Sequence, residues 1–147
     1  MTGATFDIKM PETALKEITY ALERSGTLEP VGVMYCGVRH GPTGVTLLYR
    51  GWELIPQTAT ELGPHGHGAS WRAETSSEII SRARSLKAAA VLMHSHGRFP
   101  ARFSKRDVST NQSLLPVINR LTGVPAAALL LGNGGPTGAL WDGPTCS

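Results

Sequence analysis

Two short runs, AAAVLM at 88–93 and AAALLL at 126–131, are apolar at every position. A strand with one wet face would alternate polar with apolar residues. A continuous run of this length instead fits a strand covered on both faces. Such strands need a helical layer on each side, and the stretches between them can supply it. After Pro11, Leu15, Ile18 and Leu22 recur at helical spacing with Ala14 and Ala21 beside them, and Gly26 is a suitable stop. A second helix is expected near Thr75, where Thr75-Ser-Ser-Glu78 has the capping-box pattern and Ile79, Ile80, Ala83 and Leu86 follow as an apolar face. A third should begin around Ser104, and Pro116 should kink or break it.

Further strands are expected at 5–10, at 31–38 and 44–55 (a hairpin joined by RHGPT), and at 138–141 as an edge. The segment 56–70 has no periodicity and is rich in Gly, Pro and Thr, so it reads as a long loop, a feature that often carries function. The alternation of strands and helices predicts an α/β architecture, and 147 residues fit a single domain over 1–147.

Composition narrows the function classes. With 41% apolar and 17% charged residues the chain can form a core, which excludes global disorder. Lys and Arg outnumber acids by 14 to 11, and this small surplus is scattered, which argues against nucleic acid as a general partner. One local cluster, Arg98, Arg102, Lys105 and Arg106, is either solvated loop charge or a contact for an acidic partner. No apolar run is long enough to cross a membrane, and the N-terminal stretch lacks the apolar centre of a signal peptide. Cys36 lies in an apolar run and Cys146 is penultimate, so no disulfide framework is expected, and the expected compartment is the reducing cytoplasm.

The run at 88–93 leads directly into His94-Ser95-His96. Side chains of a strand alternate, so both imidazoles face one side at the strand's C-terminal end, where open α/β sheets place ligands. Asp107 falls in the first turn of the following helix and can fold back toward them. Two imidazoles and a carboxylate leave one coordination position open, as a catalytic zinc requires. A plainer reading is also available, in which Ser104 and Asp107 only start a helix as a capping box with Asp in the place of Glu or Gln. A second pair, His65-Gly66-His67, has the same spacing, but its glycines and Pro64 deny it a rigid strand. Glu29, taken alone, reads as a solvated loop glutamate, with Pro30 favouring an extended backbone before it.

Taken together, Glu29, the HSH at 94–96, seven residues, and Ser104-x-x-Asp107 resemble the JAMM (MPN-plus) metalloprotease family, whose pattern is E…H-S-H-x7-S-x-x-D. The resemblance extends along nearly the whole chain through the order of elements; Gly97, where many members have proline, is a departure that bears on loop shape. It implies an MPN/JAMM-type mixed sheet flanked by helices and one zinc per chain on His94, His96 and Asp107. It also implies Glu29 as the proton acceptor for the attacking water and Ser104 as a donor to the oxyanion. The implied substrate is the isopeptide or peptide bond after the C-terminus of a ubiquitin-like protein, in deconjugation or precursor processing, with conjugation-pathway enzymes as further partners. The short length resembles the lean prokaryotic forms. Two other readings stand beside it: a non-catalytic MPN scaffold, whose members usually lack the ligands, and a RadC-like, nucleic-acid-associated protein, which shares the histidine and aspartate spacing. The segment 56–70 is the candidate substrate-binding flap, and no individual substrate-binding residue is assigned.

Overall fold

The even-numbered and odd-numbered residues of one strand, β6 (Ala89–Pro100), enter two different cores. Ala89, Val91 and Met93 pack with Ile18 and Leu22 of α1 (Glu12–Glu23), while Ala90 and Leu92 pack with Ile79 and Ala83 of α2 (Ala73–Leu86) and with Leu115 and Ile118 of α3 (Lys105–Thr122). The strand is apolar at every position from 89 to 93 because helices cover both of its faces there. The computed structural model describes residues 6–24, 30–55, 60–62, 69–71 and 73–143. Glu29, the histidines at 65 and 67, the expected stop at Gly26 and Cys146 lie outside them.

Among the described residues, six strands form one mixed sheet in the order β1-β3-β2-β6-β7-β8. β1 (Phe6–Lys9) runs parallel to β3 (Gly44–Ile55), and β3 pairs antiparallel with β2 (Val31–Gly41) as the expected hairpin. β2 pairs antiparallel with β6, which runs parallel to β7 (Ala126–Asn133), and β8 (Thr137–Trp141) closes the far edge antiparallel to β7. The sheet curls far enough for the Phe6 ring on β1 to meet Gly138 on β8, where a Cβ would stand 2.7 Å from Phe6 Cζ. Among the described residues this is a small α/β domain with a curled sheet and three helices.

The helices follow their apolar spacing. α1 buries Ala14, Ile18 and Leu22, one residue per turn, behind Pro11, whose extended backbone starts it. Arg82 of α2 is ion-paired with Glu53 of β3, tying that helix to the sheet. α3 ends at Gly123, whose φ of 77° is the left-handed conformation that glycine adopts without a Cβ penalty.

Four expectations need correction. The segment 56–70 is not without structure: β4 (Thr60–Leu62) and β5 (Ala69–Trp71) pair as a separate antiparallel ribbon. Strands of three residues are too short for periodicity to reveal. α2 already begins at Ala73, so Thr75 sits inside the first turn, buried, and is not its cap. α3 is not broken at Pro116 but runs through it to Thr122, because packing of Leu115, Ile118 and Asn119 outweighs the one lost backbone hydrogen bond. β6 extends past His96 to Pro100, because β7 offers a partner there at Asn133.

Candidate metal centre

His94 and His96 continue the even-numbered face of β6, so the apolar stripe of Ala90 and Leu92 turns into imidazoles where the helical cover thins. β6 is held on both sides at this point, since His94 registers with Val31 on β2 and with Leu130 on β7. Ser95 faces the opposite way, is buried, and its N–H donates to the carbonyl of Pro30 at 3.2 Å. Glu29 immediately precedes that anchored proline but is not among the described residues. The ring of Phe103, centred 6.4 Å from that of His94, packs beside it.

Beyond Ser95 the pairing is irregular. β6 advances five residues while β7 advances two, from Ser95 opposite Leu131 to Pro100 opposite Asn133. Such bulges re-aim side chains and are common beside functional sites. The base of the excursion is clamped. Gly132 lies so close that a Cβ there would be 2.6 Å from the Phe99 carbonyl oxygen and 2.7 Å from the Ala101 nitrogen. The Thr137 hydroxyl also donates to the Ala101 carbonyl at 2.7 Å. The chain therefore reaches α3 from a fixed position.

At that start Ser104 is the N-cap, with extended backbone, and Asp107 is the third residue of the helix. The Asp107 N–H donates to Ser104 Oγ at 3.0 Å, and the Ser104 N–H donates to Asp107 Oδ2 at 2.9 Å. The two readings of these residues are compatible. The capping box forms, and in forming it turns the aspartate back over the sheet. Asp107 Oδ1 stands 3.4 Å from His94 Nε2, and Asp107 Oδ2 stands 3.7 Å from His96 Nε2. The two imidazole rings lie 5.3 Å apart, edge to face.

The three side chains are mostly buried, at 17%, 18% and 15% exposure for His94, His96 and Asp107. Burial alone would push the Asp107 carboxyl up. His94 and the Ser104 hydrogen bonds outweigh that and hold it down at about 2. His94 Nε2 is a buried nitrogen with no aligned hydrogen-bond partner; its approach to Asp107 is close electrostatic contact only.

These residues fit a metal ion. One ligand atom from each lies within 4.8 Å of the other two. In a tetrahedral zinc site with bonds of 2.0–2.1 Å, neighbouring ligand atoms are about 3.3 Å apart, close to the two separations found here. A cation between them would satisfy the orphaned His94 nitrogen, which no described side chain does. Thr110 and Asn111 share a small cavity with His94 and Asp107. Helical spacing from Asp107 would have pointed to both, since they stand three and four residues later. The remaining structural residues of the centre, Phe103, Gly132 and Thr137, carry no local sequence signal.

No protein-family model matches the sequence, and no curated protein matches it. Among solved structures, the fold is similar to the solution structure of protein DSY2949 from Desulfitobacterium hafniense. The TM-score is 0.53 at 15% identity, covering 92% of this chain and 82% of that one. At that identity the likeness speaks for the fold alone. No helix among the described residues is long and apolar enough to cross a membrane.

Proposed function

We propose that the protein is a zinc-dependent peptidase of the JAMM type, with an MPN-like fold, that cleaves the isopeptide or peptide bond after the C-terminus of a ubiquitin-like protein. The observation that carries the metal part is the convergence of His94, His96 and Asp107 from a strand end and a helix start. The choice of substrate rests on the resemblance of Glu29, His94, Ser95, His96, Ser104 and Asp107 to that family's motif.

Bound zinc supplies a Lewis acid for the scissile carbonyl and lowers the pKa of water toward neutrality. The chain's own groups do the rest. Asp107 is ionised at any physiological pH and needs no proton removed before it can ligate. Ser104 Oγ accepts from the Asp107 N–H, so its own proton stays free to donate to a developing oxyanion, a contact worth roughly 3 kcal/mol where such donors have been removed. Glu29 is assigned proton transfer from the attacking water to the leaving amine.

The β4–β5 ribbon lies in the segment expected to form the flap. An extended C-terminal tail could add to its edge through backbone hydrogen bonds, which give affinity without much demand on sequence. Substrates and partners on this reading are a ubiquitin-like protein, its conjugates and the enzymes that make them, in the cytoplasm.

The test is elemental analysis joined to a cleavage assay on a linear fusion to a ubiquitin-like protein with a small-residue tail. One zinc per chain is expected, lost or greatly weakened in His94→Ala and Asp107→Ala and retained when His65 and His67 are both replaced. Full zinc in the first two variants removes the metal assignment. Equal cleavage of tails ending in leucine removes the narrow, small-residue substrate groove.

A further inference from the structure

Beneath the ligand cluster, between α3 and the sheet, lies a cavity of about 20 Å³. Val31, Leu92 and Ala128 give it an apolar floor, and His94, Asp107, Thr110 and Asn111 give it polar walls. A water molecule needs at least about 10–15 Å³ and two to four polar partners. The cavity therefore has room for a water, and its walls offer enough partners for one. An entirely apolar pocket of this size would stay dry.

The three walls contributed by α3 are related by helical geometry. Asn111 stands one turn after Asp107, so both side chains lie over the same patch of sheet, with Thr110 beside them. Asp107 has more acceptor capacity than the described protein groups use. Oδ2 takes the Ser104 N–H, whereas Oδ1 has only the poorly aligned approach of His94. A carboxylate held by one hydrogen bond on one oxygen can still rock about its own axis. Something on the other side has to fix the plane in which it meets both histidines.

We propose that the cavity holds a single structural water linking Asn111 to the Asp107 carboxylate, and that Asn111 is thereby a positioning residue for the metal centre. This rests on the metal reading of His94, His96 and Asp107. The water donates one hydrogen to Asp107 and the other to the Asn111 side-chain carbonyl, and accepts from the Thr110 hydroxyl. An asparagine suits this place because it adds hydrogen-bonding capacity without a second negative charge beside the ligands. Partners of this kind, one shell out from a metal, typically change its affinity by about 10–100-fold when removed.

The experiment is a zinc titration of the full-length protein against a chromophoric chelator, paired with thermal melts of the metal-free form. Asn111→Leu, of similar volume and without polar atoms, should bind zinc about 10–100-fold more weakly while the metal-free protein melts no lower than the parent. Asn111→Ser leaves room for a second water and should stay within about threefold of the parent, since a bridging water is nearly as good as a direct bond. A residue that mattered only for folding would show the opposite pattern, with a lower melt and unchanged affinity. If leucine is not accommodated, Asn111→Val makes the same comparison with one carbon fewer. Parent-like zinc affinity in the folded nonpolar variant overturns the proposal and leaves the metal reading in place. Absence of zinc binding by the parent removes both. A high-resolution crystal structure with no density in the cavity would also overturn it.

Discussion

Ser104 and Asp107 exchange reciprocal hydrogen bonds at 2.9 and 3.0 Å, and the same rotation of Asp107 places its carboxylate against His94 and His96. One carboxylate starts a helix and completes a group that could hold a metal ion. The stability of α3 and the geometry of that group are therefore linked, and substitutions here should be read on both.

Ser104→Ala should cost about 1 kcal/mol of stability, the usual worth of an N-cap. Zinc should be retained, because Ser104 is not a ligand, while turnover falls to an intermediate level through loss of the oxyanion donor. A chemical denaturation curve and a cleavage assay on one preparation check both effects. Native turnover with the stability loss intact would leave Ser104 as a cap only.

The metal-free protein should lose stability in acid partly through Asp107. Its folded pKa of about 2 lies below the ordinary value of 3.8, so its contribution is fully present above the latter and disappears as pH falls through the former. A depression of that size corresponds to about 2 kcal/mol as an upper figure. Denaturation of the parent and of Asp107→Asn at several pH values tests the sign. The difference between them should be largest above pH 4 and shrink toward pH 2. A difference that stays constant across that window would show that the charge contributes nothing.

Gly132→Ala should destabilise the protein by about 1–3 kcal/mol, because the new methyl would be forced into the backbone at Phe99 and Ala101. The same push moves the segment that delivers Ser104 and Asp107, so zinc affinity should fall although no ligand has changed. Thr137→Val, which removes only the bond to Ala101, should do the same more mildly. Unchanged zinc affinity in both would mean that α3 is positioned by its packing alone.

Activity should be indifferent to thiol alkylation and abolished by a strong zinc chelator, returning when zinc is restored. Cys36 is fully buried, and burial pushes its thiol up to about 12, so it is neither reachable nor a thiolate at neutral pH. Glu29→Gln should keep the zinc and lose most turnover, since an amide cannot take the proton. Loss on alkylation with indifference to chelation would replace the metal mechanism with a cysteine one.

Much of this protein was set by local sequence. The all-apolar runs at 88–93 and 126–131 fit strands covered on both faces, and they do form the adjacent parallel pair β6 and β7. Alternation along β6 put His94 and His96 on one face, and the cap at Ser104 put Asp107 in the first turn of α3. Those are consequences of period-two and helical geometry, legible within a few residues. Interactions between distant segments were not legible. Pro116 stays inside α3 because Leu115 and Ile118 have a core to enter, and 56–70 holds a ribbon whose two strands are too short to show a period. The clamp of Gly132 and Thr137 on residues 99–101 joins segments that no spacing rule connects. Backbone periodicity decides which way a side chain points, and packing between elements decides what it meets there.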